Sequence, residues 1–154
     1  MVKINISITG HLARFLVERK ERILKFIQSR LKSFKNAFIG LWHVIQSQQN
    51  AWIHAVATIT VIILGLWLGL PLRDWAVLST TIAMVWTAEF LNTALEIVVD
   101  LASPDLHPLA RAGKDVGAAA VLIAATSAVV IGIILLGPPL IQKLRMLRSI
   151  LEIF

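Results

Sequence analysis

Three long apolar runs, set apart by short polar breaks and preceded by a basic segment, organise the chain. Residues 51–70 read AWIHAVATITVIILGLWLGL, with no Asp, Glu, Lys or Arg. Residues 75–99 form the second run and residues 116–136 the third, which is rich in Ala and Gly and so suits close helix packing. A helix rising about 1.5 Å per residue needs about 20 residues to cross the hydrocarbon core of a bilayer, and each run supplies them. Pro71, Arg73 and Asp74 predict a turn after the first run. Residues 101–114, with Ser103-Pro104 and His107-Pro108, predict a polar loop after the second. Gly137-Pro138-Pro139 predicts the end of the third, followed by a tail with Lys143, Arg145 and Arg148. Upstream, Leu16, Ile23, Ile27, Leu31 and Phe34 recur at helical spacing among Arg14, Arg19, Lys20, Arg22, Lys25, Arg30, Lys32 and Lys35. A basic amphipathic helix of this kind lies in the membrane interface. The expected fold is an all-α integral membrane protein with three transmembrane helices and an N-terminal amphipathic surface helix.

Composition agrees. The 154 residues make one domain at most, and 57% of them are hydrophobic, with a mean hydropathy of +0.78. The absence of cysteine excludes disulfides, thiolate metal sites and Cys nucleophiles. Nine of the fifteen Lys and Arg lie before residue 36, and the net charge is +6. Beside three apolar spans, this basic patch points to an anionic lipid surface rather than nucleic acid. No cleaved signal pattern is read at the N-terminus. The Lys and Arg bias predicts a cytoplasmic N-terminus, an external 71–74 turn, an internal 101–115 loop and an external tail. Trp42, Trp52, Trp67 and Trp75 suit an interfacial belt, and His54 a position near a span end.

The second run carries ionisable residues where lipid is expected. On a helix turning about 100° per residue, Glu89, Asn92, Glu96 and Asp100 return to nearly one side, stacked over roughly 16 Å. Carboxylates in a span face a bundle interior or a wet cavity and usually serve function; from spacing alone, Glu89 and Asn92 also fit interhelical hydrogen bonding in an oligomer. The 101–115 loop brings Glu96, Asp100, Asp105, His107, Arg111, Lys114 and Asp115 to one membrane surface. Carboxylates suit Mg²⁺ with substrate phosphates, a lysine suits phosphate, and a deep carboxylate such as Glu89 suits a general base for a hydroxyl. The set fits phosphoryl transfer to a lipid hydroxyl, without a phosphate-binding loop, since Gly113-Lys114-Asp115 does not follow GxxxxGK[ST]. Lys114 and Asp115 also fit a simple interfacial ion pair.

These residues resemble a known family. Glu89-Phe-Leu-Asn-Thr-Ala-Leu-Glu96 through Asp100, His107-Pro-Leu-Ala, Lys114-Asp115 and Gly117-Ala-Ala-Ala-Val121 are similar, in order and spacing, to the small bacterial diacylglycerol kinase and undecaprenol kinase family. Phe34, Ala37, Gly40 and the NxxIH of residues 50–54 add to the likeness, which covers roughly residues 30–138. The resemblance implies a basic extension over 1–28, a lipid-kinase domain over 29–138 and a basic tail over 139–154. It implies a homotrimer in the inner (plasma) membrane, with cytoplasmic active sites between protomers. It also implies ATP as phosphoryl donor, Mg²⁺ as cofactor, and undecaprenol or diacylglycerol as substrate. Glu89 matches the general base, Asn92 an amide beside the reacting groups and Lys114 a catalytic cation. Glu96 matches a metal ligand, and Asp100, Asp105, His107, Lys114 and Asp115 match the nucleotide-contacting edge. One departure bears on chemistry: Gln48 stands where the family has a second metal-ligating, nucleotide-side Glu, and Trp52 replaces a usual Arg. The alternative expectation is a catalytically weakened or non-enzymatic trimer of the same fold, acting as a sensor or structural partner.

Overall fold

The computed structural model describes the backbone of residues 3–105 and 107–151, and side chains within 16–105 and 107–151. Four helices follow in order: α1 (Lys3–Ser47), α2 (Gln49–Leu68), α3 (Leu72–Ala102) and α4 (Pro108–Leu151). The described residues contain no strand. The chain divides into two units, residues 1–43 and 44–154. In the first, every described side chain from Leu16 to His43 is exposed. Leu12, Arg14 and Phe15, which belong to the expected surface helix, lie outside the described side chains.

The second unit holds three helices long and apolar enough to cross a membrane: α2, α3 and α4. Each differs from its expected bounds for a local reason. The turn after α2 is Gly69-Leu70-Pro71 rather than 71–74. Gly69 adopts φ 71°, ψ 43°, a conformation open to glycine at little cost. Its N–H bonds Leu66 O at 3.2 Å, and Leu70 N–H bonds Gly65 O at 3.1 Å, closing a Schellman motif. Pro71, extended at φ −69° and ψ 157°, then starts α3, so Arg73 and Asp74 are helical. Asp74 in the first turn complements the helix dipole. At the other end α3 runs to Ala102, where Ser103, disfavoured from helix by Pro104, takes φ −138° and ψ 77°.

The expected 101–114 loop shrinks to residues 103–107, because Pro108 opens α4 instead of ending a helix. Proline suits the first helical position, where its missing N–H is no loss. The expected stop at Gly137-Pro138-Pro139 is also overturned, since both prolines lie inside α4. Contacts on either side hold the course. Leu136 is buried with Leu70 and Leu78, and Leu135 packs against them. Beyond the prolines, Lys143 Nζ donates to Trp67 O at 2.7 Å and sits 5.0 Å over the Trp67 ring. That ammonium serves a carbonyl at the C-terminal end of α2, where cations are favoured.

Hydroxyls in the spans bond carbonyls of their own helix, as in Thr60 to Val56 O and Thr126 to Leu122 O, both at 2.8 Å, so they cost little in an apolar setting. Close approach of α2 and α3 depends on Gly65. A Cβ there would meet the Trp75 ring at 2.9 Å and Leu70 Cδ1 at 3.2 Å.

Candidate active site

The break between α1 and α2 sets the site's edge. Gln48 has extended backbone, φ −108° and ψ 120°, and sits half-buried at the start of α2. Its Nε2 donates to Glu96 Oε2 at 3.1 Å. From one turn earlier on α3, Asn92 Nδ2 donates to Glu96 Oε1 at 3.0 Å. Each carboxylate oxygen therefore holds one amide hydrogen bond and keeps accepting capacity to spare.

Glu89 lies two turns deeper on the same helix, about 10 Å along the axis. Its side chain is 1% exposed, and Oε2 is 3.8 Å from Nε2 of His54, itself 12% exposed. Neither of these atoms makes a hydrogen bond, and nor does Asn92 Oδ1. His54 is held edge-on against Trp86, with centroids 6.4 Å apart. The Trp86 indole N–H donates to Thr58 Oγ1 at 3.1 Å, tying α3 to α2 beside the pair. From α4, Gly117 faces the Asn92 carboxamide, and a Cβ at that position would run into Oδ1.

A third group lies nearer the surface. Lys114 Nζ on α4 pairs with Asp100 Oδ1 on α3 at 2.5 Å, with side chains 37% and 64% exposed. Lys114 thus pairs across helices and not with the adjacent Asp115, which is exposed. His107 Nδ1 accepts the Leu109 N–H at 3.2 Å and so caps α4. The exposed Asp105 accepts the Ser103 hydroxyl through its main-chain carbonyl at 3.0 Å. The structure thus gathers Gln48, Asn92 and Glu96, sets Glu89 beside His54, and joins Asp100 to Lys114. It places Asp105, His107 and Asp115 outside these groups.

No cluster of three or more metal-ligating His, Asp or Glu side chains forms among the described residues. Glu96 offers carboxylate oxygens of the kind a hard cation takes, and Gln48 turns its carboxamide nitrogen towards them. His54 and Gly117 were not singled out as site residues from sequence. His54 looked like a span-end histidine, and its partner lies on another helix. For Gly117 the available signal was the run of small residues that begins there.

Residues 35–136 match the family described as prokaryotic diacylglycerol kinase. The chain belongs to this family. The undecaprenol kinase of Bacillus subtilis is 37% identical over 109 residues, which cover 71% of this chain and 89% of that protein. The diacylglycerol kinase of a Synechocystis species is 43% identical over 113 residues, covering 73% of this chain and 65% of the relative. The diacylglycerol kinase of Escherichia coli K12 is 36% identical over 93 residues, covering 56% of this chain and 76% of that one. All three gathered groups fall inside the family match, whereas residues 1–34 and 137–154 lie outside it.

For a member of this family, the Gly117 contact yields a direct test. Gly117→Ala is expected to push the Asn92 carboxamide away from Glu96. Losing a hydrogen bond to a charged group should lower phosphotransfer about tenfold or more. Circular dichroism should show unchanged helix content; full activity in the variant would remove Asn92 from the working site.

Proposed function

We propose that this protein is an ATP-dependent membrane lipid kinase that phosphorylates the hydroxyl of a lipid alcohol, undecaprenol or diacylglycerol. The observation that carries the reading is Glu89: a carboxylate buried inside a spanning helix, with one oxygen lacking a hydrogen bond, on the same face as the amide-held Glu96. Glu89 takes the hydroxyl proton as the lipid oxygen attacks the γ-phosphorus. A new P–O bond forms, the bond from the γ-phosphorus to the β,γ-bridging oxygen breaks, and ADP leaves with that electron pair. Asn92 holds Glu96 in place. Lys114 offsets phosphate charge, and Asp100, Asp105, His107 and Asp115 line the nucleotide edge.

Glu96, with Gln48 beside it, would hold Mg²⁺. The ion, when bound, neutralises charge on the transferring phosphates. The donor chemistry fits, with one carboxylate and, once the Gln48 carboxamide turns its oxygen inward, one carboxamide oxygen.

The assembly is read as a homotrimer in the plasma membrane, with a cytoplasmic site. Support comes from the family likeness and from the N-terminal basic charge. Residues 1–28 form an extension whose basic helix docks on anionic lipid, 29–138 the kinase domain, and 139–154 a basic tail.

Three outcomes test this reading. With purified protein, ATP, Mg²⁺ and each lipid alcohol, Glu89→Gln should abolish turnover while leaving the oligomer intact by light scattering. The amide keeps the shape but accepts no proton, so retained turnover would defeat the base assignment.

Gln48→Glu separates a full enzyme from a weakened one, the competing reading that Gln48 itself favours. Two facing carboxylates attract a cation. The variant should lower the half-saturating Mg²⁺ concentration about tenfold, equivalent to roughly 1.4 kcal/mol. A rise in activity from near zero supports the weakened enzyme, and little change from a substantial wild-type rate means the amide suffices.

A chain starting at Ser29 should still insert and keep most specific activity. It should bind anionic vesicles less well, since each nearby Lys or Arg adds about 1 kcal/mol of surface attraction. Lost activity in correctly inserted oligomers would put the extension inside the active site.

A further inference from the structure

His54 and Glu89 face each other across α2 and α3, and neither has the partner its chemistry asks for. The Glu89 side chain is 1% exposed and that of His54 12%. Glu89 Oε2 and His54 Nε2 stand 3.8 Å apart, both shut away from solvent, and neither atom makes a hydrogen bond. A carboxylate oxygen only accepts, and a neutral imidazole carries one N–H, so the two are complementary. Closing the gap by about 1 Å brings them to hydrogen-bond distance.

The nearest donors on α3 are already engaged. The Trp86 indole N–H goes to Thr58 Oγ1 at 3.1 Å, the Asn92 amide to Glu96 Oε1 at 3.0 Å, and the Thr93 hydroxyl to the Glu89 main-chain carbonyl at 2.9 Å. Thr58 keeps its own hydroxyl proton but lies one turn further along α2 than His54. From α4, the residue that meets Asn92 is Gly117, which has no side chain to donate. The imidazole is also held from two levels. Trp86 meets its ring edge-on, with centroids 6.4 Å apart and planes at 67°, and the same indole bonds Thr58 one turn on. A polar ring buried without a partner is less favourable than an apolar side chain of its size, so packing alone does not account for His54.

We propose that His54 is the positioning residue of Glu89: its Nε2–H takes Oε2, which fixes the plane of the carboxylate and leaves Oε1 to receive the proton of the lipid hydroxyl. The proposal rests on the lipid-kinase reading above and adds a residue to its base. The lipid O–H bond breaks, its proton passes to Oε1, and its electron pair forms the new bond to the γ-phosphorus. His54 keeps its own proton throughout. A base that must meet one hydroxyl in one geometry loses rate when it is free to turn. Since His54 acts through Glu89 and touches neither lipid nor nucleotide, its loss falls on kcat and not on binding.

The test uses full-length protein in mixed micelles with ATP and Mg²⁺, and undecaprenol or dioleoylglycerol as acceptor. His54→Leu and His54→Met, which remove the donor, should lower kcat about ten- to a hundredfold and leave KM for ATP and for lipid near wild type. His54→Gln, which keeps an N–H, should recover most of the lost kcat. Light scattering checks the oligomer, and whichever apolar variant assembles carries the measurement. Wild-type kcat in an assembled apolar variant overturns the proposal, as does a loss that falls on KM, or a His54→Gln rate no better than that of the apolar variants. Loss of the oligomer in both apolar variants makes His54 a packing residue and also overturns it. All of these leave the lipid-kinase reading standing. A wild-type protein that phosphorylates neither lipid sinks that reading and this inference with it.

Discussion

A carboxylate inside a hydrocarbon slab must find protein or a wet cavity, and Glu89 and Glu96 impose that demand on the whole bundle. Because they share one face of α3, that face turns inward, and the neighbouring helices are shaped to receive it. The chain breaks at Gln48, which lets a carboxamide reach Glu96 from the start of α2. Residue 117 of α4 is glycine, so α4 can close on Asn92. His54 approaches Glu89 from α2, with Trp86 and Thr58 fixing its surroundings. The groups that answer the two carboxylates are thus gathered where three helices meet.

Elsewhere the bundle has little core of its own. Leu70, Leu78 and Leu136 form a small buried cluster at the end away from the carboxylates, while large apolar side chains line the outside of every span. In lipid such surfaces are not a liability, because hydrocarbon is as good a neighbour as leucine. Helix association then depends on close packing and polar contacts. Gly65 under Trp75 illustrates the first, and Lys143 on the Trp67 carbonyl the second.

Sequence made legible whatever lies along one helix. The three spans follow from run length, and the Glu89–Glu96 face follows from helical period, because both are properties of a single segment. Contacts between helices were hidden. His54 lies on α2 and Glu89 on α3, with no spacing rule between them. Lys114 stands beside Asp115 in sequence, yet adjacent residues on a helix point apart, and the structure pairs it with Asp100. The prolines misled for a related reason. As local signals they end helices, but in a span neighbouring contacts and hydrocarbon packing carry α4 through Pro138 and Pro139. His107-Pro108 misled in sign, since the same pair that closes one helix can cap and open the next.

Gln48 changes what holds this edge of the site together. With a glutamate at position 48, two carboxylates would face each other and repel unless a cation lay between them, so the arrangement would depend on bound metal. A carboxamide reverses the sign of the contact. Its N–H donates to Glu96, and Asn92 donates to the other oxygen, so the carboxylate is oriented by the protein alone. The Glu96 carboxylate is thereby pre-set without any cation beside it. The carboxamide also removes one negative charge from the groups that attract a divalent ion. Compared with a carboxylate at position 48, the carboxamide trades attraction for a cation for a pre-set geometry, and both consequences follow from one nitrogen in place of an oxygen.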